Sequence, residues 1–193
     1  MRKPALVIIA QTGYQDIELE GTRKGLFGAG FDVVLASKAI GPCRGKLGGT
    51  EQASIAMKDV NVSDYDRIAF IGGPGAGALK DDSNALRIAR ETVAAKIPLG
   101  AICIAPTILA AAGVLKGKKA TVWDSGPAHR SVSARPSRDG SLGEGGGEQI
   151  EFLKQKGADY SGEAVTRDGL IVTGNGPKAA EEFGRTFAAI AAE

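Results

Sequence analysis

Apolar runs rich in β-branched residues recur along the chain: "ALVIIA" (5–10), "DVVLAS" (32–37), "RIAFIG" (67–72), "LGAIC" (99–103), "KATVW" (119–123) and "LIVTG" (170–174). Their apolar residues are consecutive rather than alternating, the pattern of strands buried on both faces in a parallel sheet. Between them, "QDIELEGTRKGLFGAG", "SNALRIARETVAAK", "APTILAAAGVL" and "KAAEEFGRTFAAIAAE" carry helical spacing. Gly30 and Gly113 stand where a helix can end in the left-handed conformation. This alternation predicts one α/β domain over residues 1–193, a flavodoxin-like three-layer sandwich around a mostly parallel sheet. "EQASIAMKD" (51–59) reads as an extra strand or hairpin arm, and "EAVTRDGLIVTG" as two strands joined by a turn at Arg167, Asp168 and Gly169.

One stretch breaks the alternation. Residues 125–148, "SGPAHRSVSARPSRDGSLGEGGGE", hold six glycines and three arginines and almost nothing to bury. Such a segment inside a compact domain is expected to be a flexible insertion or linker. Without it, "VWD" runs almost directly into "QIEFLKQKGADY", which reads as a further helix.

Charge and cysteine content narrow the classes of function. Twenty-four Lys and Arg face 22 Asp and Glu, with no basic run, so the footprint of a nucleic-acid binder is missing. The apolar run at the amino terminus ends after about six residues, too short for a signal peptide core or a membrane span. The two cysteines, Cys43 and Cys103, form no disulfide framework and no zinc-ligand spacing. The expectation is a cytoplasmic protein with free thiols, no metal, and neither membrane nor nucleic acid as partner. No phosphate loop follows the first strand either, because "QTGYQD" lacks hydroxyl and glycine density, and no cofactor is expected.

In a doubly wound sheet, ligands gather outside the carboxyl ends of the strands. Cys103 stands there, between "KIPLGAI" and the helix "APTILAAAGVL", with the small Ala101 and Ala105 two positions to either side. A nucleophile elbow needs such residues because its tight turn brings backbone close to its surroundings. A thiol at a helix amino terminus also feels the positive end of the dipole, which favours thiolate. Free cysteine is equally at home as a buried packing residue, so position alone leaves both readings open. The glycines of "IGGPGAGA" (71–78) offer backbone N–H groups to an anion or simply form a tight turn, and they lack nucleotide-binding spacing. Asp16 and Glu18, in "YQDIELEG", are candidates to sit beside the thiol or to cap a helix and face water.

Taken together, these segments resemble the ThiJ/PfpI superfamily, which contains the parkinsonism-associated deglycase and the archaeal intracellular proteases. The likeness rests on "YQDIE" after the first strand, the paired glycines after "RIAFI", the elbow "AICIAP", "GVLKGKKATVW" and the late "DGLIVTGNGP". It implies that Cys103 is the nucleophile and Glu18 the carboxylic acid hydrogen-bonded to it. It also implies that the backbone N–H groups of Gly73 and Ile104 receive the oxyanion. Trp123, Asp124 and Asn175, at strand ends, are candidates to line the site. A protonated Glu18 would stabilise a charged sulfur, and the two groups should titrate as a pair.

The chain also departs from that family. Protease-like members carry a histidine directly after the nucleophile, where this chain has Ile104. The deglycase branch has one where this chain has Trp123. The single histidine, His129, lies in the 125–148 segment. The expected function is therefore cysteine-dependent chemistry on a carbonyl, of a small dicarbonyl or an amide, with the peptidase dyad doubtful. The alternatives are an oxidative-stress sensor, whose Cys103 is oxidised, or a chaperone-like binding module. The partners expected are a small-molecule or peptide substrate and a second copy of the chain, as a homodimer or higher oligomer. A glutamine amidotransferase is set aside, because no late His-x-Glu is present.

Overall fold

A computed structural model describes residues 2–124 and 147–191 of the chain. Its elements run β1 (Ala5–Ile8), β2 (Thr12–Tyr14), α1 (Asp16–Gly28), β3 (Val33–Ser37), β4 (Gly41–Gly45), β5 (Thr50–Ala53) and β6 (Ile55–Ala56). There follow β7 (Arg67–Phe70), α2 (Ser83–Ala94), β8 (Leu99–Ile102), α3 (Pro106–Ala111) and β9 (Lys119–Ala120). The chain closes with α4 (Glu148–Gln155), β10 (Asp159–Tyr160), β11 (Val165–Asp168), β12 (Ile171–Gly174) and α5 (Ala180–Ala188).

The main sheet has seven strands in the order β11-β12-β8-β7-β1-β3-β6, parallel throughout except for the edge pair β11-β12. Its interior strands bury both faces with the expected period of two. Leu6, Ile8, Ile68, Phe70, Leu99 and Ala101 pack with α2, α3 and α4. Val7, Ile9, Ala69, Ile71 and Ile102 pack with α1 and α5 on the other side. Helix, sheet and helix form the three layers anticipated from the alternation.

Two details differ from the sequence reading. The run 119–123 does not join the main sheet: only Lys119–Ala120 is strand, pairing with β10 in a separate two-stranded ladder. β11 occupies the place beside β12, and the 119–123 run is instead held by a side-chain bond, Thr121 N–H donating to Oγ1 of Thr173 in β12 (2.9 Å). In addition, β2, β4 and β5 make a small sheet of their own. Of the 125–148 segment, residues 125–146, including His129, lie outside the described residues, whereas Glu148 already opens α4.

α1 and α5 cross at glycines. A Cβ on Gly25 would stand 2.2 Å from the Gly184 carbonyl carbon, and one on Gly184 would stand 2.3 Å from Gly21 O. Both clashes are with backbone, so neither can be relieved by rotating a side chain. Gly25→Ala is therefore expected to cost about 1–3 kcal/mol, the range for overpacked cores, read as a lower urea midpoint. The crossing also fixes α1, which carries Glu18.

Candidate active site

The parallel strands deliver their following loops to one edge of the sheet. β1 leads to Gln15 and α1, β7 to Gly72 and Gly73, β8 to Cys103, and β12 to Gly176 and Pro177. Cys103 itself adopts φ +65°, a conformation non-glycine residues rarely take. It persists because its neighbours hold both backbone polar groups: Cys103 N–H donates to Gly174 O (2.8 Å), and Trp123 N–H donates to Cys103 O (2.8 Å). Ala101 and Ala105 are fully buried on either side. Such strain, over-determined by its surroundings, is characteristic of sites where a side chain must be aimed.

Glu18 reaches the same point from the first turn of α1 and is fully buried. Gly72 N–H donates to its Oε2 (3.0 Å), while Gly72 O accepts from Gln15 N–H (3.0 Å), tying the two loops together. A Cβ on Gly72 would lie 2.5 Å from Cys103 Cβ and 2.8 Å from Glu18 Oε2, so only glycine lets acid and thiol approach across this backbone. Glu18 Oε1 is buried and has no hydrogen-bond partner. The Cys103 thiol lies against the carboxyl group outside hydrogen-bond geometry to that oxygen. The backbone N–H groups of Gly73 and Ile104 lie close enough to the sulfur to favour its charged form.

The electrostatics follow from burial. Loss of water pushes the Glu18 carboxyl up to about 7, against the pull of the Cys103 contact, the Gly72 N–H and the positive Lys46. Burial and then the charge of Glu18 push the Cys103 thiol up to about 12, against the N–H groups of Gly73 and Ile104. The helix-dipole expectation of an easily formed thiolate is thus reversed. α3 is only six residues long, and the loss of solvent outweighs its terminus. What the pair resists is a second negative charge: its first proton leaves near neutral pH and the second only far above it.

Above the thiol opens a cleft of about 500 Å³ lined by Gln15, Lys46, Gly73, Ile104, Trp123 and Glu148, among others. The Trp123 ring stands where a Cβ on Gly176 would come within 2.7 Å of it. Among the described residues, no histidine lines this cleft, and no group of three His, Cys, Asp or Glu side chains is placed to hold a metal. Asp124 and Asn175 are not among the described lining residues. Asp124 accepts from Gly147 N–H (3.2 Å), and Asn175 N–H donates to Ala164 O (2.9 Å). Asp16 faces away from the thiol. Its two oxygens accept from Gly49 and Leu47 N–H groups, at 2.8 Å each. Sequence reasoning missed Gln15, Lys46 and Glu148, which arrive from loops and a helix start with no recognisable spacing.

The DJ-1/PfpI family profile matches residues 3–190. The chain belongs to the DJ-1/PfpI family. It is 33% identical over 180 residues to the uncharacterized protein MJ0967 of Methanocaldococcus jannaschii, covering 93% of this chain and 78% of that one. With the deglycase PfpI of Pyrococcus furiosus it shares 30% identity over 118 residues, 61% of this chain and 71% of the relative. A glutathione-independent glyoxalase of Caenorhabditis elegans, DJR-1.2, is 29% identical over 114 residues, 59% of this chain and 61% of the relative. Among solved structures, a ThiJ/PfpI domain protein from Brachyspira murdochii superposes with a TM-score of 0.82 at 23% identity, covering 97% of this chain and 95% of that one. That likeness concerns the DJ-1/PfpI fold. Among the described residues, no helix is long and apolar enough to cross a membrane.

Proposed function

We propose that this member of the DJ-1/PfpI family is a cysteine-dependent enzyme acting on small dicarbonyl compounds, with Cys103 as nucleophile and Glu18 as its acid–base partner. The observation that carries the reading is the Cys103 backbone at φ +65°, which aims a thiol at a cleft floor facing a buried carboxyl group. Relatives named deglycase and glyoxalase support the same chemistry.

In the reactive form the proton of the pair sits on Glu18 and the charge on sulfur, where the Gly73 and Ile104 N–H groups receive it. The thiolate attacks the aldehyde carbon of a 2-oxoaldehyde, and the carbonyl oxygen takes the Glu18 proton, giving a hemithioacetal. Glu18, now a carboxylate, removes the hydrogen from that carbon and returns a proton to the adjacent carbon, while the hydroxyl proton of the hemithioacetal passes to the former ketone oxygen. The aldehyde carbon is oxidised to a thioester and the ketone reduced to an alcohol. Water then releases a 2-hydroxy acid and regenerates the thiol. Amide cleavage fits less well, because Ile104 and not a histidine follows Cys103 in the chain.

The test is incubation with methylglyoxal and measurement of lactate. The reading expects lactate formation that stops once Cys103 alone has been alkylated. Absence of turnover, combined with selective gain of two oxygens on Cys103 under dilute peroxide, would overturn it in favour of an oxidation sensor.

A further inference from the structure

Lys46 is the feature of the cleft that the chemistry above leaves unused. It lies in the turn between β4 and β5, a turn the fold takes care to fix. Asp16 accepts the Leu47 and Gly49 N–H groups at 2.8 Å each, and Lys46 N–H donates to Tyr14 O at 2.8 Å. A Cβ on Gly45 or Gly49 would stand 2.2 or 2.3 Å from Asp16 Oδ1, so both glycines are needed for the carboxylate to nest in the turn. The turn is thus clamped on both sides of Lys46, whose side chain lines the Cys103 cleft. Among the described ion pairs, none involves Lys46. Its charge is felt at Glu18, so it stands within electrostatic reach of the reacting atoms.

An ammonium carried on a fixed turn beside a nucleophile, with no ion-pair partner among the described residues, is suited to hold an anion there. Among the described lining residues, the opposing charge is Glu148. Glu148 also lines an adjoining groove of about 390 Å³ with Ile104, Thr107 and Phe152, which places it toward α4, whereas Lys46 does not line that groove. The cleft is therefore polarised, positive on the Lys46 side and negative on the Glu148 side. Beneath it, Glu18 is buried and keeps its proton up to about pH 7.

We propose that Lys46 selects substrates in which the electrophilic carbon carries a nearby carboxylate, so that anionic carbonyl compounds are preferred over neutral ones. This deepens the proposed function and rests on Cys103 being reactive. The test uses two alkylating probes that differ in charge and little in size, iodoacetate and iodoacetamide. Rates of modification at Cys103 are followed by peptide mass spectrometry and divided by the rates for free glutathione. Lys46→Met should lower the normalised iodoacetate-to-iodoacetamide ratio about fivefold, the effect of one partly exposed charge contact. Lys46→Arg should keep most of the ratio. Rising salt should compress the ratio in the parent and leave Lys46→Met flat. Any change that Lys46→Met makes to the thiolate fraction of Cys103 affects both probes alike and cancels, and a Glu18 that keeps its proton better without Lys46 would raise the ratio, opposite to the fall expected. A ratio unchanged in Lys46→Met, with Cys103 reacting readily, overturns the anion site alone. A Cys103 inert to both probes overturns this proposal together with the function on which it rests.

Discussion

Glu18→Gln should make the protein more stable at pH 8 while leaving it nearly unchanged at pH 4. The Glu18 carboxyl is raised to about 7 in the folded chain from an ordinary value of 4.5, chiefly by burial. Between those values the folded state keeps a proton that the unfolded state has lost. Its stabilising contribution is thus complete below the unfolded value and disappears as pH rises through the folded one. By pH 8 the accumulated loss is about 3 kcal/mol. Glutamine removes the titration and fills the same space. Urea midpoints of the two proteins should therefore coincide near pH 4 and separate toward pH 8, with the variant higher. Parallel curves would mean that Glu18 ionises as readily in the fold as in water. The same substitution should separate reactivity from catalysis. Because the Glu18 charge helps push the thiol up to about 12, its removal should speed alkylation of Cys103 at pH 8. Turnover should fall, since the amide can neither give nor take the proton.

The parts of this architecture legible in the sequence are those whose burial is dictated by consecutive apolar residues. β1, β3, β7, β8 and β12 each lie within a run identified that way. The run at 119–123 has the same composition, but burial alone does not determine which strand pairs with which. β11 takes the position beside β12, and only Lys119–Ala120 forms a ladder. β2 and β4, "TGY" and "GPCRG", have no periodicity to detect. They exist through distant partners, such as the bond from Arg44 N–H to Gln11 O (2.9 Å). The site divides along the same line. Cys103 stood out because an elbow demands small neighbours at fixed offsets, and resemblance, not position, favoured a nucleophile there over a packing residue. Glu18 rested largely on resemblance, since a carboxylate at a helix start normally faces water. Lys46 left no trace, because an exposed lysine in a glycine-rich turn looks the same whether or not tertiary contacts aim it. The protonation of the thiol was beyond sequence altogether. It depends on the extent of burial and on a second acid held close across Gly72.

Arg67→Met should be among the most damaging single substitutions in the molecule, although Arg67 lies at the opposite edge of the sheet from Cys103. Arg67 opens β7 and is 1% exposed. Its guanidinium donates to Phe187 O (2.6 Å), Ala188 O (2.7 Å) and Ile190 O (2.9 Å), carbonyls at and just beyond the end of α5. Asp66 accepts from the other side (2.9 Å), and the Phe31 ring stacks 4.0 Å away. Helix ends leave carbonyls unsatisfied, and here one buried cation serves three of them at the negative pole of the helix. Removing the cation leaves those carbonyls buried beside a carboxylate that has lost its partner. A loss of about 3–5 kcal/mol is expected, which for a domain of this size lowers the melting temperature by roughly 10 °C. Arg67→Lys should recover little, since a single ammonium cannot reproduce a planar fork that spans three carbonyls and a carboxylate. A melting temperature within about 2 °C of the parent would show that α5 ends well enough without it. If the loss appears, hydrogen exchange should accelerate first in α5 and then in α1, because the two helices meet at Gly21, Gly25 and Gly184. Glu18 rides on α1. Its placement beside Cys103 therefore depends on a cation at the far end of the sheet.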